Sequence, residues 1–301
     1  MASGSKKVII AALIGNGLIS ITKFIAASIT GSAAMMSEGI HSLVDTGNQV
    51  LLLWGLKSAQ KPASAAFPFG HGKEVYFWSF VVAILIFAVG AGISIYEGVH
   101  HIIHPPHELH DPTINYIVLV LAMIFEGVAL YFAVTEFNKV RGPFGYIEAV
   151  QRGKDPSLFV VLFEDSAAML GLFIAFIGIF MAQWTQNPLW DGMASVAIGC
   201  ILGLTAIWLA YETKGLLIGE GANPKIVKKI NEISSTYDSV VKVNEVLTLH
   251  MGPDYLLVTI SIEFKDKLPT GEIEKAIDRI TKDIKATFPF AKKVFIEAET
   301  V

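Results

Sequence analysis

Six stretches of this chain are long and apolar enough to cross a lipid bilayer, and that limits its fold to very few choices. They run near Val8–Ile29, Ala33–Ser58, Tyr76–Ile103, Ile114–Phe137, Ser157–Gln183 and Gly192–Lys214. A spanning helix needs about 20 apolar residues. Inside lipid every backbone N–H and C=O must be paired within the protein, so only helices and closed barrels survive there. These runs read as spanning helices by their length and apolar content. The expected architecture is an α-helical membrane protein with six transmembrane helices. Composition agrees: 53% of residues are hydrophobic and 17% charged, an excess that a soluble core does not need.

The cations set the expected orientation. Lys6 and Lys7 precede the first segment, and Lys57, Lys61 and Lys73 follow the second. Lys139, Arg141, Arg152 and Lys154 lie between the fourth and fifth, and Lys214 closes the sixth. The other loops carry no Lys or Arg. Positively charged loops stay cytosolic, so both termini are expected there. The net charge of −4 gives no footprint for nucleic acid. The single cysteine, Cys200, excludes an intramolecular disulfide framework. The first apolar segment is too long for the core of a cleavable signal peptide.

The second segment contains Glu38-Gly39-Ile40-His41-Ser42-Leu43-Val44-Asp45-Thr46-Gly47-Asn48-Gln49. His41 and Asp45 are one helical turn apart and face the same way, with Asn48 further along that stripe. Ionisable groups at membrane depth are expensive, and a cluster of them points to function. An imidazole nitrogen and a carboxylate oxygen at this spacing can share one divalent metal. The competing explanation is a buried polar network that ties helices together.

The fifth segment opens with Asp155-Pro156, a helix-start signal, and then carries Glu164 beside Asp165. Adjacent helical residues point about 100° apart, so one of the two should face the first cluster. Asp165 is the first choice and Glu164 the second. The alternative is a carboxylate held by a cation such as Lys23, the one basic residue inside a span. Glu97, near a segment end, can reach water. Glu126, mid-segment, is a reserve candidate for proton coupling. His100, His101, His104, His107 and His110 cluster around Pro105-Pro106 in an irregular tract that can bind metal weakly or simply be solvated.

From Ile218 the character changes. Gly219-Glu220-Gly221 reads as a hinge, dividing a transport domain (1–218) from a small cytosolic α+β domain (219–301). Asn223-Pro224 starts a helix with Ile226, Val227, Ile230 and Ile233 on one face. Val240–Met251 reads as a strand and Gly252-Pro253-Asp254 as a turn. Leu256, Val258, Ile260, Ile262 and Phe264 then form one row of a second strand. Thr270–Phe288 is amphipathic through Ile273, Ala276, Ile277, Ile280 and Ile284. Lys292–Glu297 is a last strand. The order αββαβ suits a two-layer, ferredoxin-like sandwich.

Taken together, these features resemble the cation diffusion facilitator family of divalent-metal/proton antiporters. The resemblance rests on Gly31-Ser32-Ala33-Ala34, His41xxxAsp45, Pro68-Phe69-Gly70-His71-Gly72-Lys73, Trp190-Asp191-Gly192 and His250-Met251-Gly252-Pro253-Asp254-Tyr255, in that order over the whole chain. The subgroup resembles the one holding mammalian zinc transporter nine and many bacterial relatives. The resemblance implies a transport site from two ligands on each of the second and fifth spans. His41 and Asp45 match the first pair. On the fifth span Val161 stands four before Asp165, where many zinc members carry histidine. The implied metal set is therefore His41, Asp45 and Asp165, completed by Glu164, Asn48 or water. A secondary loop site would use His71, and a tail site His250, Glu297 and Glu299; both sets are poor in nitrogen. Lys73 and Glu220 stand where the family places a charge link between membrane domain and tail.

The expected activity is export of a divalent transition metal from the cytosol in exchange for protons, by a homodimer joined through its tail. Zn²⁺ is the first choice of substrate, and no organic cofactor is expected. The oxygen-rich ligand set leaves Mn²⁺, Fe²⁺ or Co²⁺ as alternatives. A bacterial inner membrane is the expected location. A membrane-embedded metallohydrolase is the rival from another class, but HExxH is absent and no Ser/Lys or Ser/His pairing stands out.

Overall fold

The computed structural model describes residues 3–106 and 111–300. His107 and His110 of the histidine tract lie outside the described residues. The helices are α1 Ser3–Thr30, α2 Ala33–Ala59, α3 Glu74–Leu85, α4 Gly92–Ile103, α5 Thr113–Val140, α6 Tyr146–Arg152, α7 Pro156–Thr185 and α8 Leu189–Ile218. A π-helical turn, Ile86–Ala91, joins α3 and α4 into one rod. Such an insertion shifts the helix face that follows it.

Among the described residues four helices are long and apolar enough to cross a membrane: Glu74–Ile103, Thr113–Val140, Pro156–Thr185 and Leu189–Ile218. Helices α1 and α2 have comparable length, 28 and 27 residues. At 1.5 Å per residue each measures roughly 40 Å, more than the hydrocarbon core. Helix α2 is less apolar because Glu38, His41, Asp45, Asn48 and Lys57 lie in it. Local signals set the boundaries. Gly31 takes φ 68° in the turn between α1 and α2, where a side chain would be strained. Asp155 caps α7, accepting from the Ser157 N–H at 3.1 Å, and Pro156 fills its first turn.

The chain divides into two compact units. The first holds the chain up to Leu56 together with Phe77–Thr213. Its helices approach closely where small residues allow it. A Cβ on Gly98 of α4 would lie 2.7 Å from the Gly192 carbonyl oxygen of α8, and one on Gly178 of α7 only 2.3 Å from Ala194.

The second unit holds Lys57–Tyr76 and the chain from Lys214 on. It contains α9 Pro224–Ser235, β1 Val240–Gly252, β2 Tyr255–Phe264, α10 Thr270–Thr287 and β3 Ala291–Ala298. The sheet order is β1-β2-β3, with β1 antiparallel and β3 parallel to β2. Leu256, Val258, Ile260 and Ile262 are the buried row, packed with Ile230, Ile280 and Ile284 of the two helices. The segment between α2 and α3 belongs to this unit. A Cβ on its Gly72 would sit 2.3 Å from the Met251 carbonyl oxygen, so only glycine lets this segment rest on the β1–β2 turn.

Replacing Gly98 by Val should wedge α4 from α8 and destabilise the helical unit by about 1–3 kcal/mol, the usual penalty of overpacking. Gly47→Ala, at a position with nothing within 4 Å of the new carbon, should be neutral. Thermal unfolding of both variants in detergent measures the difference.

Candidate metal centre

Helix α2 carries the polar stripe that its spacing implied. His41, Asp45 and Asn48 are buried, and His41 Nδ1 stands 3.4 Å from Asp45 Oδ1. Neither ring nitrogen of His41 has a hydrogen-bond partner among the described residues, and neither has Asp45 Oδ1 or Asn48 Oδ1. Buried polar atoms without partners are costly, about 1–3 kcal/mol each, so each calls for an explanation such as strain, a functional role, or a water or ion.

Opposite α2 stands α7, with Glu164 and Asp165 both buried. The direct contacts from α2 go to Glu164. Asn48 Nδ2 donates to Glu164 Oε1 at 2.6 Å, and the Asp45 carboxyl lies within hydrogen-bonding reach of Glu164. Asp165 is the next carboxyl along and interacts with both through space. The helix face favoured from sequence, centred on Asp165, is thus rotated so that Glu164 meets the stripe first. Sequence places the two acids about 100° apart but contains no information on the roll of α7 about its axis. Glu126 of α5 is also buried and adds its charge to the same group.

Lys23 does not hold a fifth-span acid. Its ammonium donates to Glu38 at 2.9 Å and to Ser42 at 2.7 Å, all three fully or almost fully buried. Gly171 of α7 makes room for this pair, since a Cβ there would lie 2.4 Å from Glu38 Oε1. Glu38 opens the polar stretch in the sequence, and nothing in the sequence assigns it to Lys23. Fifteen positions separate the two across a turn, and no local spacing rule reaches that far.

The remaining candidates are scattered. His71 lies 3.9 Å from Glu74 and against Phe67 in its own segment. His250 pairs in register with Leu256 at one end of β1, while Glu297 pairs with Ser261 well along the sheet. Glu299 accepts from Ser261 at 2.6 Å. The structure therefore does not bring His250 together with the two glutamates. Lys73 donates to the Leu217 carbonyl at 3.4 Å, and Glu220 accepts the His250 N–H through its backbone; both belong to the second unit. In the histidine tract, His100 stacks between Tyr96 and His104, and His101 stands 3.6 Å from Asp191. Among the described residues no three His, Cys, Asp or Glu side chains already stand close enough to clamp one ion. Around His41 a cation would have to draw Glu164 away from Asn48.

The model of the cation efflux transmembrane domain matches residues 9–218, and that of the cation efflux protein cytoplasmic domain matches residues 222–301. The chain belongs to the cation efflux family. This bears out the resemblance carried by its motifs and places it among membrane transporters rather than enzymes. The chain is similar to the proton-coupled zinc antiporter SLC30A9, mitochondrial, of Xenopus laevis, at 32% identity over 286 residues, covering 94% of this chain and 51% of that protein. The human protein of that name is 33% identical over 269 residues, covering 89% and 47%. The manganese efflux system protein MneP of Bacillus subtilis is 21% identical over 301 residues, covering 97% and 95%. The chain thus spans about half the length of the first two relatives.

Lys23→Met should strand the Glu38 charge in the interior, destabilising the protein by about 3–5 kcal/mol. Adding Glu38→Met removes the stranded charge and should recover most of that loss. Unfolding temperatures of the single and double variants in detergent check this pair.

Proposed function

We propose that this chain exports a divalent transition metal from the cytosol in exchange for protons, with Zn²⁺ as the first substrate. The observation that carries this reading is the set of unpartnered buried atoms on His41, Asp45 and Asn48, facing Glu164 and Asp165 across the α2–α7 contact. A cation there would give each of them a partner. The proposed ligands are His41, Asp45 and Glu164, with Asp165 and Asn48 completing or exchanging into the shell. Metal ligands bind deprotonated, so loading releases protons and protonation releases metal. A hydrogen bond between two carboxyl groups, such as Asp45 and Glu164, carries a proton that an arriving cation displaces.

The proposal includes six spans, with α1 and α2 crossing beside the four more apolar helices. It keeps both termini cytosolic, as the cationic loops imply. It also assigns residues 1–218 to transport and 219–301 to regulation and dimerisation, in a bacterial inner membrane. A homodimer would join through the sheet face that the two tail helices leave open, where Leu247 and Phe295 are exposed apolar residues. One nitrogen among several oxygens also supports a second reading, a Mn²⁺, Fe²⁺ or Co²⁺ exporter, and one relative is named for manganese efflux.

In sealed proteoliposomes, His41→Ala or Asp45→Ala should abolish metal flux driven by a pH gradient. Glu164→Ala should lower it more than Asp165→Ala. Unchanged flux in the His41 and Asp45 variants would remove the site. Val161→His should add a nitrogen one turn before Glu164, on the same side of α7. It should raise preference for Zn²⁺ over Mn²⁺ in competition uptake. No change in preference would place residue 161 outside the shell.

A further inference from the structure

Three buried serines on three different helices stand in a line that the transport site does not account for. Ser37 of α2, Ser94 of α4 and Ser195 of α8 are fully buried. The Ser37 and Ser195 hydroxyl oxygens are 2.6 Å apart. Ser195 donates its hydrogen to the Ser94 carbonyl at 2.8 Å, so Ser37 is the donor to Ser195. The Ser94 hydroxyl itself is buried without a partner among the described residues. Small residues suffice for close helix packing, and alanine would fit this crossing. Hydroxyls add a chain of exchangeable hydrogens.

Both ends of the line meet polar groups. Ser37 is one turn before His41 on the same face of α2, and the His41 ring nitrogens are unpartnered. Ser195 is one turn after Asp191 on α8. Asp191 accepts from the Ser32 hydroxyl at 2.7 Å and from the Ala33 N–H at 2.6 Å, and stands near His101. A cavity of about 30 Å³ opens beside it, lined in part by Thr30, Ser32, His101, Asn115 and Asp191. That is polar and roomy enough for a water molecule. Asp191 and Ser195, and likewise Ser37 and His41, are each one helical turn apart on one face, and a relay through them needs one water in each gap.

We propose that Ser195 and Ser37 form the proton-return route, relaying protons from the cavity at Asp191 to the transport site. This rests on the exchange reading above and adds the path that reading lacks. As observed, the hydrogens run from Ser37 to Ser195 to the Ser94 carbonyl, so both hydroxyls first turn. Ser195 then accepts a hydrogen from the Asp191 end and gives its own to Ser37, and Ser37 gives its own on towards His41, so one proton enters and one arrives. The serines are unchanged after the chain turns over and reorients. The charged and titratable groups along the line are His101 and Asp191 at one end, and Lys23, Glu38, His41 and Asp45 at the other. Lys23 and Glu38 are committed to each other. Glu126 of α5 acts through space on Lys23 and Glu38 as well as on Asp45 and Asp165, so it belongs with the groups at the transport-site end.

The test compares two fluxes of Zn²⁺ through the purified full chain in proteoliposomes. One is uptake driven by a pH gradient. The other is exchange of labelled for unlabelled Zn²⁺ at equal pH, which needs no net proton movement. Ser195→Ala and Ser37→Ala should slow pH-driven uptake roughly tenfold or more, the scale of losing a positioned proton carrier. Metal-for-metal exchange should be preserved in both variants, which also shows that they fold and bind. If both fluxes fall together, the serines serve packing and the relay is wrong. If neither falls, protons use another route and the relay is equally wrong. If the parent protein shows neither flux, it is the transport reading that fails.

Discussion

A polar side chain inside a membrane helix must find its partner on another helix, because lipid offers none. In this chain that obligation concentrates on α2, and it organises the helical unit. One side of α2 gives Glu38 and Ser42 to Lys23 of α1. Another offers Asn48 and Asp45 to Glu164 of α7. Its first turn is held by Asp191 of α8, and Ser37 meets Ser195 of the same helix. Three neighbours are therefore fixed to α2 by groups that have nowhere else to go. Apolar packing against lipid-like surfaces could not specify these pairings, since every apolar face would serve as well.

Not all of these groups end up satisfied. Lys23 ties Glu38 through Oε2, while Glu38 Oε1 is buried without a partner among the described residues. The His41 ring and one Asp45 oxygen are left open in the same interior. His41 has both ring nitrogens open, whereas Glu38 keeps a bond to Lys23 through one oxygen. A transport site has to stay partly unsatisfied, because a fully paired shell would have no reason to take up an ion. On the proposed transport reading, the Asn48–Glu164 bond is the one that yields to a cation.

The second unit follows soluble rules. One row of β2 is buried under two amphipathic helices, and its opposite row is open. The segment between α2 and α3 lies on the β1–β2 turn through a glycine contact with no room for any side chain.

Sequence alone placed the long helices to within a few residues, because caps and apolar runs are local: Asp155-Pro156 started α7 and Asn223-Pro224 started α9, while the short α6 and the π-helical turn at Ile86–Ala91 carried no such signal. It also determined which residues share a face, since His41 and Asp45 follow from helical geometry, and Leu256 to Ile262 from strand alternation. Tertiary structure alone decided how the helices roll against one another. That roll chose Glu164 over Asp165 for the direct contact, gave Lys23 to Glu38, and aligned Ser37 with Ser195 across 158 positions. It also seated Gly72 on the β1–β2 turn. The physical reason is one of range: periodicity fixes positions within an element, while the rotation of one element against another is set by the sum of all its packing and pairing.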